Sequence, residues 1–476
     1  MTQIAAPQID FGVIAPLVAL VATGLLILLV DLVSRRATRR MLYSIGIAGC
    51  IVSFVRVVMQ FGHPATTFGG AFATDRFSWA FDAIILVALA ASLLLSLVRD
   101  AEDGASPAAY SSLLVFCAVG GMIMAAATNL IVIFLGIEQL SLALYILAGT
   151  GLGRPASQEA ALKYVLLGSL ASGFLIYGSA LLYGASGSVA LTDIAHAAAS
   201  PSMLFITGFT LFIVGVGFKL ALAPFHVWTP DVYEGSPIAI TAFMAVAVKA
   251  ATFSVLARFV YVVFGHDVPA LAPLWAIAIL SMIVGNVGAI AQTNLKRLLA
   301  YSSIAQAGYV VLALAGVTGS GLSTMVFYLA AYAFMNLGAF AVIALVGDGS
   351  ESVAAIDSYR GMFWRRPWVA ACMTVFMFSL AGIPATAGFI GKVLLLGQAI
   401  AAGPWGIAMA VVLVLGTLVS FYVYFKVVWA MFSPLEDGAS SPAGNALVPW
   451  IAVAAGVAGV ILMGVLPQLF YSFFAT

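Results

Sequence analysis

The chain has 476 residues, of which 63% are hydrophobic and only 8% charged, with a net charge of +1. A soluble domain carries about 25% charged residues, so this composition, with its mean hydropathy of +1.14, excludes a water-facing globule and describes an integral membrane protein. Near-neutral charge leaves no basis for nucleic-acid binding. The scattered Cys50, Cys117 and Cys372, none in CxxC spacing, give no disulfide frame, zinc site or iron–sulfur ligand set.

The N-terminal MTQIAAPQID has no Lys or Arg, so it lacks the basic region of a signal peptide and the first helix is expected to be retained. A spanning helix needs about 20 apolar residues. About fourteen are predicted, near 11–33, 41–61, 77–98, 110–128, 130–149, 160–184, 203–228, 237–263, 272–292, 296–316, 322–346, 367–402, 405–432 and 447–472. The longest connections, near 99–109, 185–202, 347–366 and 433–446, are polar and Gly/Ser-rich and read as surface turns.

Basic residues are distributed unevenly among the connections. Arg35, Arg36, Arg39, Arg40, Arg99, Arg154, Lys296, Arg297, Arg360, Arg365 and Arg366 all fall in odd-numbered loops, whereas even-numbered loops hold essentially Arg76. The positive-inside rule then puts odd loops in the cytoplasm and both termini on the periplasmic side.

Two predicted helices are interrupted by Pro near a Lys: the seventh, with Lys219 and Pro224, and the twelfth, with Pro384 and Lys392. They lie five helices apart, an odd number, so they enter the membrane from opposite sides. Broken helices in inverted halves point to a transport site, because freed backbone groups are tolerated only where protein or water satisfies them. The expected fold is all-α and polytopic, one membrane domain over 1–476. It holds two inverted five-helix repeats, about 110–263 and 272–432, with flanking helices at 11–98 and 447–472.

Ionisable residues inside apolar helices cost roughly 2.5–3.5 kcal/mol each at a helix centre. Glu138, Lys219, Lys249 and Lys392 sit in such runs, with Lys219 read as well away from either helix end. Desolvation and a neighbouring opposite charge pull proton affinity in opposite directions, so a Glu138 whose Lys partner comes and goes is a proton switch. His226, just past Pro224, can relay a proton between Lys219 and Lys249; the rival role is capping freed backbone groups. Lys163 is near a helix start, where snorkelling competes with function; Lys426 is a weaker candidate, and Arg56 and Arg258 read as snorkelled. Tyr301, Ser302, Ser303, Gln306, Tyr332 and Asn336 could hold a water chain or simply bond helices together. GTGLGRP (149–155) joins two spanning helices and does not follow a strand, so it is no nucleotide loop. No metal ligands or axial haem pair are visible, and the chain is expected to bind no cofactor.

The segments KLALAPFHVWTPDVYEGSP (219–237), GIEQLSLALY (136–145), KRLLAYSSIAQAGY (296–309) and GIPATAGFIGK (382–392) resemble the antiporter-like membrane subunits of respiratory complex I, NADH–quinone oxidoreductase. The resemblance covers nearly the whole chain, and Val232–Pro237 departs from two of the family's three paralogues. It implies a proton channel coupled to NADH oxidation and quinone reduction on other subunits, which would hold the flavin, iron–sulfur clusters and quinone. Glu138, Lys163, Lys219, Lys249 and Lys392 match the family's functional positions, with His226 between two of them. The partners implied are neighbouring membrane subunits, lipid, and protons with internal water, in a bacterial inner membrane. The rivals are a subunit of a multi-subunit Na⁺/H⁺ antiporter or membrane-bound hydrogenase, and a scaffold whose buried charges only lock helices.

Overall fold

With no water in a bilayer core, backbone polar groups must be satisfied within the chain, and helices do this segment by segment. A computed structural model describes residues 9–34, 37–97, 105–265, 271–347, 354–434 and 447–474. Arg35, Arg36, Arg99 and His266 lie outside these. Helices α1 (Ala15–Val33), α2 (Arg39–Gln60), α3 (Arg76–Ser96), α4 (Pro107–Ala126), α5 (Leu130–Ala148) and α6 (Pro155–Ser186) come first, with a short β1–β2 hairpin (Ala65–Thr67, Phe72–Thr74) before α3. Then follow α7 (Leu191–Ala198), α8 (Met203–Leu220), α9 (Thr229–Gly235), α10 (Ile238–Phe243), α11 (Lys249–Phe259), α12 (Ala272–Ile290), α13 (Leu295–Val311) and α14 (Gly319–Val346). The chain ends with α15 (Met362–Arg365), α16 (Pro367–Ala381), α17 (Ala387–Ala401), α18 (Pro404–Phe432), α19 (Leu447–Val465) and α20 (Pro467–Phe474).

Among the described residues, 13 helices are long and apolar enough to cross a membrane. One of them, Ile238–Phe264, joins α10 and α11 through a wider π-helical turn at Met244–Val248. The predicted 367–402 span is the pair α16 and α17, each too short alone. The fold is therefore all-α and polytopic. Starts are set by local chemistry: Asp75 and Ser78 form a capping box on α3, Asn129 and Asn294 cap α5 and α13, and Pro opens α4, α6, α16 and α18. The 185–202 connection is not a plain turn as expected. It folds into α7, which buries Leu191 and Ile194, an apolar pair three apart that is too short to register as a helical period.

Position in the bundle follows burial. The Ile238–Phe264 helix is 94% buried along its apolar window, against 28% for α1 and α6. Close packing relies on small residues: a Cβ at Gly120 on α4 would come 2.6 Å from the Leu140 nitrogen of α5, and one at Gly285 on α12 would come 2.4 Å from the Ala305 nitrogen of α13.

Candidate functional site

The break in the seventh span falls earlier than Pro224. Helix α8 ends at Leu220, and Ala221 takes the left-handed conformation (φ 58°). Lys219 is therefore in the last turn of α8, not far from a helix end as the sequence suggested. A helix C-terminus favours a cation by about 0.3–1 kcal/mol, which helps hold an ammonium there. Freed backbone groups find side chains: Trp228 Nε1 donates to the Phe218 carbonyl at 3.0 Å, and the Ala223 amide donates to Ser281 Oγ at 2.8 Å.

Lys219 is buried and donates to the Tyr145 hydroxyl at 3.1 Å, with its Nζ also 5.1 Å and 5.6 Å from the Tyr145 and Tyr164 ring centres. Glu138 lies seven residues before Tyr145 on the same face of α5. It is half-buried and accepts a hydrogen bond from Ser172 of α6. Glu138 and Lys219 are unpaired here. Among the described residues, no carboxylate comes within 4.0 Å of the Lys219, Lys249 or Lys392 ammonium.

Lys249 begins α11, directly after the π-helical turn, and donates across to the Ser303 carbonyl of α13. Lys392 on α17 donates to the Leu380 and Ala381 carbonyls at 3.0 and 2.9 Å, the open C-terminal carbonyls of α16. Its break uses Gly382 (φ 88°) and Ala385 (φ 67°), the first a position that glycine occupies at no steric cost. Lys219, Lys249 and Lys392 thus all donate to uncharged oxygens.

Polar side chains join them. Tyr164 stacks on Trp228 at 4.7 Å, Trp228 meets Tyr233 edge-on, and the Tyr233 hydroxyl is 3.4 Å from Ser303 Oγ. One residue on, Ser302 bonds the Tyr424 hydroxyl at 2.5 Å. Gln306 donates to both Tyr424 and the Leu380 carbonyl at 3.4 Å, the carbonyl that Lys392 also holds. Tyr328 donates to Gln306. Of the polar residues singled out on α13 and α14, Ser302, Ser303 and Gln306 lie on this route. Among the described residues the buried Tyr332 hydroxyl has no hydrogen-bond partner, and Asn336 bonds back to the Tyr332 carbonyl in its own helix. Tyr301 instead fills the space above Gly288 of α12.

Lys163 and His226 do not join the buried row. Lys163 is 38% exposed and pairs with Asp231 and Glu159, each at 2.6 Å. His226 is half-buried beside exposed Pro224 and Val227; among the described residues its Nδ1 has no partner, and it makes no hydrogen bond to Lys219 or Lys249. Lys426 caps the Gln292 carbonyl at 2.9 Å.

The pairing of Lys163 belongs to a charge cluster that the sequence reading missed. Asp231 also binds Arg297 at 2.7 Å, Arg297 binds Glu234 at 2.8 Å, and Asn294 donates to Glu234 at 2.9 Å. Buried Lys296 caps the Glu234 and Ser236 carbonyls at the end of α9, at 2.5 and 2.7 Å. Burial pushes the Asp231 carboxyl up, but hydrogen bonds from Lys163 and Arg297 outweigh this and hold it below the usual carboxylate range. Arg258 is not snorkelled as expected: it is 10% exposed, binds both oxygens of Asp75 at 2.9 and 3.1 Å, and lies over Phe77.

The chain matches the family model described as NADH:quinone oxidoreductase/Mrp antiporter, TM, over residues 127–418. The chain belongs to this family. It is 40% identical to the NADH-quinone oxidoreductase subunit N 1 of Symbiobacterium thermophilum, over 97% of this chain and 96% of that one. It is also 40% identical to the subunit N of Trichlorobacter lovleyi, over 98% and 96%. A chain in the respiratory complex I of Thermus thermophilus with bound aureothin superposes with a TM-score of 0.83 at 34% identity, covering 96% of this chain and 98% of that one. Membership makes the chain a multi-pass membrane subunit of a proton-translocating NADH-quinone oxidoreductase, working beside other membrane subunits.

Proposed function

We propose that this subunit carries protons across the bacterial inner membrane along Lys219, Lys249 and Lys392, driven by NADH oxidation and quinone reduction on other subunits. The observation that carries the reading is the ending of three buried ammonium groups on uncharged oxygens, joined by Tyr233, Ser303, Ser302, Tyr424 and Gln306. An ammonium locked to a carboxylate keeps its proton. One held by a hydroxyl or carbonyl can lose it to water without leaving an unpaired carboxylate behind.

The proton enters from the cytoplasm at the Lys163–Asp231–Arg297 cluster and reaches Lys219 while Glu138 stays with Ser172. It continues to Lys249, then by way of the α13 side chains and water to Lys392. Movement of Glu138 toward Lys219 supplies the switch. Two charges 4 Å apart interact by about 4 kcal/mol at an effective dielectric of about 20, roughly a thousandfold in proton affinity. His226 serves the aqueous side of the α8 break. Lys163 orders the uptake cluster.

The orientation with both termini periplasmic and the inverted repeats at 110–263 and 272–432 belong to the same reading. Supporting the repeats, Thr128-Asn129-Leu130 opens α5 and Thr293-Asn294-Leu295 opens α13. Each Asn caps its helix and bridges the segment after the next spanning helix, Asn129 with Ala190 and Asn294 with Ala355. Flavin, iron–sulfur clusters and the quinone site are placed on other subunits.

The test replaces Lys219 with Ala in the assembled complex and follows NADH-driven proton uptake in vesicles. Loss of uptake per NADH oxidised supports the path, and unchanged pumping removes Lys219 from it.

A further inference from the structure

A second acidic group lies deep in the membrane, apart from the lysine row. Asp82 is on α3, 5% exposed, and its Oδ1 has no hydrogen-bond partner among the described residues. The same holds for two buried donors on the same two helices: Trp79 Nε1, one turn earlier on α3, and Arg258 Nε on the facing helix. Buried polar atoms in native proteins are bonded to protein or to ordered water, and a buried water typically makes 2–4 such bonds. Asp82 Oδ1 on α3 and Arg258 Nε on the facing helix are thus a buried acceptor and a buried donor left open.

Depth follows from helix geometry. Asp75, which caps α3, and Asp82 are seven residues apart, on one face and about 10 Å apart along the axis. Asp75 holds Arg258. α3 packs against the Ile238–Phe264 helix, and Ile85 of α3 and Ala251 both close on Gly121 of α4. Asp82 therefore sits between the level of Arg258 and that of Lys249. Lys249 and Arg258 are nine residues apart on α11, on opposite sides of the helix. The field on Asp82 comes from Asp75 and Arg258. α4 and α14 carry no charged residue, and Arg56 of α2 is exposed.

We infer that Asp82 is a further proton-binding site of this chain, reached from the Asp75 end of α3 through the Arg258–Asp75 pair. The inference rests on the proton-carrying reading above. Loading adds one proton from water to the carboxylate and gives the neutral acid, with Arg258 held by Asp75 as seen here. Unloading returns that proton to water, and Arg258, whose Nε is free to bond, compensates the carboxylate that remains. The site lies on the Arg258 side of the Ile238–Phe264 helix, opposite Lys249.

The test uses the intact complex in proteoliposomes, with two readouts: infrared difference spectra on addition of NADH, and proton uptake per NADH oxidised. Asp82→Asn should remove one protonated-carboxyl band, one that shifts in D₂O, and lower the uptake ratio. Asp82→Glu should keep the band at a shifted frequency and keep most of the uptake. Retention of every carboxyl band with full uptake in Asp82→Asn overturns the inference. If Asp82→Asn does not assemble, the Glu variant decides: a shifted band supports a proton site, and no shifted band overturns it. Lys249→Ala separates the two levels. If it stops pumping while Asp82→Asn does not, only this inference fails; if it also pumps fully, the parent reading fails with it.

Discussion

Two groups of cations in this chain are treated in opposite ways. At the α9 end, Lys163 and Arg297 are partly exposed and tied to carboxylates at 2.6–2.8 Å. In the interior, Lys219, Lys249 and Lys392 are buried, donate to hydroxyl and carbonyl oxygens, and have no carboxylate within 4.0 Å among the described residues. Desolvation makes a buried charge dear unless it is paired, so simple stability would place the carboxylates in the interior. The reverse arrangement is the one the proposed proton path requires: interior lysines without a carboxylate partner, and charge pairs confined to the periphery.

The sharpest way to break the contrast is to give an interior lysine a carboxylate. Ser303→Asp places one within reach of Lys249. Uptake per NADH should fall by about tenfold or more, given about 4 kcal/mol for a pair at 4 Å, while Ser303→Thr should pump normally. Vesicle uptake assays distinguish them. Next, Gly388→Ala closes the twelfth-helix break, because its Cβ would stand 1.8 Å from the Ser379 carbonyl. Overpacking of this kind costs about 1–3 kcal/mol or more, so the yield of assembled complex and its thermal midpoint should both drop.

Smaller effects are expected at the periphery. Asp231→Asn should slow turnover a few-fold without abolishing coupling, since Glu159 still holds Lys163 and Glu234 still holds Arg297. The pH dependence gives the finest test. Because the folded Asp231 carboxyl is held low, its contribution is present at neutral pH, above the ordinary Asp value near about 3.9. It is lost as pH falls through the folded-state value. Thermal melts from pH 7 downward should therefore be flatter at the acid end for Asp231→Asn than for the native chain.

Much of the fold was legible because a membrane helix announces itself by hydropathy alone. Lone charges in apolar runs likewise gave Glu138, Lys219, Lys249 and Lys392. Asp82 carries the same signature, in WAFDAIILVALA, and was passed over although the signal was there. Arg258 and Asp75 could not be read together, since 183 residues separate them and only packing of α3 on α11 joins them. Arg297, Asp231 and Glu234 sit at helix ends, where charge is ordinary, so their convergence had no local mark. The position of Lys219 in the last turn of α8 was misread because Pro224 drew the break four residues too late; the left-handed Ala221 has no sequence signature.

The most direct measurement replaces Lys249 with Arg in the assembled complex and follows NADH-driven proton uptake. Arginine keeps the positive charge and much of the side-chain length but does not deprotonate in proteins. Transfer along the lysines requires uptake per NADH to collapse with NADH oxidation and assembly intact. Full pumping with arginine at that position would mean that the buried cation serves only as a fixed charge, and would contradict proton passage through it.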